Sequence, residues 1–244
     1  MKKIASLFLL TLLTSCVIHN YGNYEYQNSD KYSEYVAETE IEAQVKELSI
    51  DWVNGTVTVT KGESFSFSEE SKGKPLYYWY RENKLDIRFA KSGTPSKEFD
   101  NFNKQLFVTV PYDLESLTID IVNGNHQINL NNLNRLDVDV VNGSGEVELN
   151  SVKNILFDVV NGSGVYTIKS TSVAEIYDFD TVNGSITLNL DKSRGFDVNF
   201  KAVNGRLNNN FTQPEGENNR YKINFDSTNG SLTINEIEEK WGVT

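Results

Sequence analysis

A chain of 244 residues with one Cys and a net charge of −11 excludes several classes at the outset. A single Cys permits no intramolecular disulfide framework and no zinc-type Cys cluster, so the fold must rest on a packed core. The acidic balance, with no basic stripe along the chain, repels phosphate backbones and excludes nucleic acid as a partner.

The chain opens on Met1-Lys2-Lys3 and an apolar run from Ile4 to Leu13. About ten apolar residues suit the central region of an export signal and fall short of the ~20 that a membrane span needs. The run ends in Leu13-Thr14-Ser15-Cys16, which resembles the bacterial lipobox: an aliphatic residue, two small ones, then the obligatory Cys. The resemblance implies a leader at 1–15, cleavage before Cys16 and lipid attachment there. The expected partner is therefore a membrane, reached through the lipid on Cys16. Val17 in place of Asp resembles the pattern of outer-membrane sorting in Gram-negative bacteria. No later apolar stretch approaches 18 residues.

Residues 16–36 contain five tyrosines (Tyr21, Tyr24, Tyr26, Tyr32, Tyr35) among polar residues without apolar periodicity, and read as a tether. The repeat domain is expected over 37–244. Its main signal is an Asn-Gly pair that occurs seven times, at Asn54, Asn123, Asn142, Asn161, Asn183, Asn204 and Asn229. Val precedes the Asn in six of them. The last six are spaced 19 to 25 residues apart, which leaves room for two strands and their turns per repeat and none for helices.

Counting back from each Asn, the sixth residue is Leu48, Leu117, Leu136, Ile155, Tyr177, Val198 or Ile223, and the fourth is Ile50, Ile119, Val138, Phe157, Phe179, Phe200 or Phe225. The third is Asp51, Asp120, Asp139, Asp158, Asp180, Lys201 or Asp226. This alternation places an apolar column on one face and a charged column on the other. It resumes after the Gly, as in Val147 and Leu149 or Ile186 and Leu188. Two all-β architectures fit: a parallel β-solenoid with Asn-Gly at a stacked corner, or an array of antiparallel hairpins turning at Asn-Gly. Leu133 and Val152, each just past a strand, need a third inward face, and that favours the solenoid. Between Lys61 and Leu114 the repeat lapses; Leu76–Tyr80, Leu85–Phe89 and Leu106–Val110 read as strands of less regular coils. Ile237–Thr244, with Trp241, is expected to cover the open end.

In a parallel stack Asp120, Asp139, Asp158 and Asp180 line up about 4.8 Å apart, a repulsion that hydrogen bonds, solvent or a bound cation must offset. Hydrogen bonding and solvent are the favoured account, and no metal or other cofactor is expected. Of the two histidines, His19 falls in the tether; His126 occupies a position held elsewhere by Val57, Ile186 and Leu232, which makes it a structural core residue. There is no Cys–His pair, no Gly-x-Ser-x-Gly elbow and no phosphate-binding loop, so no catalytic residues are assigned and the chain is not expected to be an enzyme.

With Leu85-Asp86-Ile87, the strand Leu106-Phe107-Val108-Thr109-Val110-Pro111 and the Val-Asn-Gly-Ser repeats in view, the sequence resembles the bacterial putative-adhesin family of β-strand-repeat domains, across about Leu48 to Ile234. The resemblance implies a β-solenoid of the cell envelope with an adhesive or scaffold role toward a protein or glycan ligand. Envelope-stress sensing through a ligand or partner is the alternative, and a glycan-active enzyme a remote one.

Overall fold

The computed structural model describes residues 23–36, 41, 44–70, 75–95, 98–99, 103–214 and 220–237. The expected leader, Cys16, His19 and Trp241 lie outside them. The protein is all-β. In chain order its strands are β1 (Asn23–Tyr24), β2 (Ser33–Glu34), β3 (Glu47–Lys61), β4 (Ser66–Glu70), β5 (Tyr77–Arg81), β6 (Lys84–Arg88), β7 (Thr94–Pro95), β8 (Lys104–Val110), β9 (Leu114–Ser170), β10 (Ile176–Leu190), β11 (Phe196–Asn204), β12 (Leu207–Asn209), β13 (Tyr221–Asn229) and β14 (Leu232–Glu236).

The sheet is mixed and does not close on itself. Its middle is parallel. Asn54 of β3 is in register with Asn123 of β9, Asn161 of β9 with Asn183 of β10, and Asn183 with Asn229 of β13. β9 makes successive circuits of 19 residues, and Asn142 and Asn161 each donate a side-chain hydrogen bond to the Asn one circuit back. The hairpin alternative is therefore not what forms: each strand before an Asn-Gly pairs with its counterpart in the neighbouring repeat, and the chain turns a corner there without reversing.

The corner needs glycine because the circuits approach closely. A Cβ added at Gly162 would overlap the carbonyl oxygen of Gly143, and one at Gly143 would overlap that of Gly124. The inward columns read from the alternation are buried along the middle of the stack: Leu117, Leu136, Ile155, Tyr177 and Ile223 in one, Ile119, Val138, Phe157, Phe179 and Phe225 in the next. Leu133 and Val152 are also buried, on the third side.

Both ends of the stack invert the order of the chain. β3 comes before β6 and β8 in sequence, yet it lies between them and β9: β6 runs parallel to its first half and β8 to its second. At the other end β13 and β14 follow β11 and β12 but insert between them and β10. The regular spacing of Asn204 and Asn229 gives no sign of this exchange.

The β6 and β8 end is covered. β5 pairs antiparallel with β6, β2 with β5, and β4 with β8. Phe67 of β4 packs against Tyr35 and Tyr78. Lys104 is buried there against Glu69 at 2.7 Å and donates to the Phe89 carbonyl. Asn23 to Val36, the second half of the expected tether, lies on the domain: β1 pairs with β7, and Tyr26 and Tyr35 pack against the core. Its tyrosines supply the apolar area that holds it there.

Candidate functional site

The seven Asn of the corners form one column. Side-chain amides run in a single direction along it, from Asn142 to Asn123, Asn161 to Asn142, Asn183 to Asn161, Asn229 to Asn183 and Asn204 to Asn229, at 2.8–2.9 Å. Asn54 turns instead to the carbonyl of Phe99. Next to them, backbone N–H groups of Ser163, Ser185 and Ser231 donate to the hydroxyls of Ser144, Ser163 and Ser185. These residues hold the circuits in register, and each bond contributes on the order of 1 kcal/mol.

The strands before and after the corner present different outer faces. After the corner the ladder is mixed: Asn150 donates to Asn131, Asn189 to Thr167 and Asn235 to Asn189, while Glu148 pairs with Lys169. Before it the ladder is acidic. Register places Asp51 beside Asp120, Asp158 beside Asp180 and Asp180 beside Asp226, with Asp139 between Asp120 and Asp158. A second column adds Asp137 and Asp178. Each end of the Asp column meets a cation: Arg88 bonds Asp51 at 2.6 Å, and Lys201 is in register with Asp226.

Protons help offset the repulsion. Burial and the neighbouring charges of Asp51 and Asp139 raise Asp120 well above the ordinary carboxylate range; burial and the charges of Asp158 and Asp137 raise Asp139 as well. A side-chain hydrogen bond between the two raises Asp120 further and holds Asp139 down. Burial, then Asp180, pushes Asp158 up to about 7; burial, then Asp178 and Asp226, pushes Asp180 to about 6. Asp158 is 6% exposed and its Oδ1 has no hydrogen-bond partner. Near Lys201 the face dips into a shallow depression of about 230 Å³ lined by Asp178, Asp180, Asn199, Lys201, Asn224, Phe225 and Asp226. Among the described residues no group of three or more His, Cys, Asp or Glu is set to hold a metal ion.

His126 is fully buried, and neither ring nitrogen has a hydrogen-bond partner. The next two circuits carry Gly145 and Gly164 in its column. The imidazole fills the space that a Cβ on Gly145 would need, and the Tyr166 ring takes the space beside Gly164. Phe157 lies 6.1 Å from the imidazole, centroid to centroid. Burial pushes His126 down to about 4, so it is a neutral spacer in the core. Sequence reasoning placed it inward but missed its purpose; the paired Gly-Ser-Gly at 143–145 and 162–164 was the available signal.

These columns define an all-β protein of stacked parallel strands with ladder-bearing outer faces. Residues 126–236 match the family described as Toastrack DUF4097. The match bears out the resemblance read from the sequence, over a shorter span. No curated protein matches the chain significantly. Among solved structures, the chain is similar to a putative cell adhesion protein from Clostridium sporogenes ATCC 15579, at 13% identity over 84% of this chain and 98% of that one, with a TM-score of 0.45. It is also similar to a putative adhesin from Bacteroides fragilis NCTC 9343, at 15% identity over 84% and 96%, with a TM-score of 0.35.

Proposed function

We propose that the protein is a lipid-anchored component of the bacterial cell envelope, held at Cys16 in the outer membrane, that works without catalysis as an adhesin-like binding surface. Its body is read as a β-solenoid whose coils are the Val-Asn-Gly repeats. The observation that carries the proposal is the outer face before the corners: aspartyl side chains repeated at one strand spacing across six neighbouring strands. Such a face suits an extended partner that carries positive charge at intervals, a basic protein segment or an aminated glycan, because each added circuit repeats the same contact.

Two measurements test it. Replacing Cys16 with Ala should move the protein from the membrane to the soluble fraction in detergent phase partitioning; a variant that stays with the membrane overturns the anchor. Purified protein should bind cells or matrix of its own niche in a salt-sensitive way, weakened by Asp139→Asn with Asp178→Asn; binding indifferent to both salt and these changes overturns the acidic face as the surface.

A second reading, envelope-stress sensing, rests on the raised carboxyls, which change charge near neutral pH. It requires that deletion alter a stress response to acid while leaving attachment intact.

A further inference from the structure

The two ends of the stack are finished differently. At the β11 end, β11 pairs only with β13 and β12 only with β14 among the described residues. Core columns that are closed elsewhere stand partly open here. Phe179 and Phe225 are buried, but Phe200, stacked on Phe225 with ring centroids 5.3 Å apart, is covered on one side only. Val198 and Leu207 are likewise half-buried, and Val203 is 77% exposed. An unpaired strand edge over an open core is a template for another strand.

The backbone parity of β11 says which groups are on offer. Tyr221 donates its N–H to the carbonyl of Gly195. Residues of that parity, Asp197, Asn199 and Lys201, thus point their backbone groups at β13, and Val198 and Phe200 point theirs at the open edge. The side chains are symmetric about Asn199. Asp197, which also accepts from Arg220 at 2.7 Å, lies two residues before it and Lys201 two after; Val198 and Phe200 flank it directly.

We propose that this end is a self-association surface, through which two copies of the chain join end to end by antiparallel pairing of β11 with β11, centred on Asn199. In that register Val198 of one copy faces Phe200 of the other. These are the residues whose backbone groups are free, so each such pair exchanges two hydrogen bonds. Asp197 then stands opposite Lys201 of the second copy, and Lys201 opposite its Asp197. Opposite charges directly across antiparallel strands are favourable and like charges are not. Val198, Phe200 and Leu207 of the two copies close each other's core. A second copy is a better fit than an arbitrary strand because only the strand's own sequence supplies both charge pairs at once. The Asp column would run toward the junction from both sides and meet a pair of lysines there.

The test uses the full chain in detergent, in a Cys16→Ser background so that any introduced thiol stands alone. Sedimentation should show a concentration-dependent dimer. Asn199→Cys should give a disulfide-linked dimer on mild oxidation, because the symmetry brings position 199 within bridging distance of itself; Thr118→Cys, on the same face in mid-stack, should not. Lys201→Asp sets like charges opposite each other and should weaken the dimer about tenfold. Asp197→Lys combined with Lys201→Asp restores opposite pairs and should restore the dimer, a recovery that mere loss of folding would not show. The proposal is overturned by a chain that stays monomeric, by cross-linking at 199 no faster than at 118, or by a dimer indifferent to the charge exchange. It is equally overturned if the dimer forms only after residues 238–244 are removed, since the chain's own end then covers the strand.

Discussion

The middle circuits and the two ends of this molecule obey different rules. From Leu114 to Leu190 each circuit supports the next through the same contacts, the Asn column, the Ser column and the apolar columns, so one repeat explains its neighbours. At the β6 and β8 end the contacts are particular: an aromatic cluster, the buried Lys104 and Glu69 pair, and antiparallel strands laid across parallel ones. At the β11 end, among the described residues, Phe211 packs on Phe196 while Val198, Phe200 and Leu207 stay half-buried. The difference teaches that repetition solves the problem of stacking and leaves the problem of stopping to non-repeating sequence.

The largest effect is expected at the corner. Gly162→Ala would force the circuit of Asn161 away from that of Asn142, because the added carbon meets backbone that cannot turn aside. A loss above about 4 kcal/mol, seen as failure to fold or a collapsed denaturant midpoint, is the expected result. A stable Gly162→Ala protein would show that the circuits can separate at little cost.

One substitution made in three places sharpens the comparison. Phe157 is enclosed by Phe179, Tyr166 and His126, so Phe157→Ala should cost roughly 3–5 kcal/mol. Phe67→Ala, at the covered end, should cost about 3 kcal/mol. Phe200→Ala, at the open end, should cost about 1 kcal/mol in the monomer. Equilibrium unfolding of the three variants reads the order directly. Equal losses at Phe157 and Phe200 would mean that the β11 end is as well covered as the middle.

The smallest effect concerns pH. Asp120, Asp139, Asp158 and Asp180 hold protons more tightly when folded than the ordinary carboxyl at about 3.9. Their contribution is complete below that value and is lost as pH rises through the range from about 6 to about 8. His126 acts oppositely: its folded value of about 4 lies below the ordinary 6.5, so its contribution is present above 6.5 and lost as pH falls toward 4. The unfolding midpoint should therefore be higher at pH 6.5 than at pH 8.5, and Asp139→Asn should narrow the gap. A midpoint that rises with pH across this window would contradict the shared protons.

Much of the middle was legible in the sequence, because period-2 alternation and a fixed turn pair depend on the backbone alone. Leu117, Phe157 and Tyr177 are buried as the alternation implies, and the Asp column falls in register. The strands Leu85–Phe89 and Leu106–Val110 were also visible, and they appear as β6 and β8. The exchange of order at both ends was not, since pairing between distant strands leaves no local trace: Asn204 and Asn229 look like successive circuits whichever lies outermost. Nor was the docking of Asn23 to Val36, where scattered tyrosines carry the contact without periodicity. The carboxyl shifts were out of reach for another reason, since they depend on how far neighbouring side chains bury one another.

The inverted order at the β3 end has a mechanical consequence. A strand at a free edge can be peeled away, its bonds breaking one after another under a small force. β3 is no such strand, for it is bonded along one side to β6 and β8 and along the other to β9. A pull transmitted from the N-terminal side must slide it lengthwise between two neighbours and break both rows of bonds together. The first long strand is thereby clamped in shear, where strength grows with the number of bonds that must give way at once.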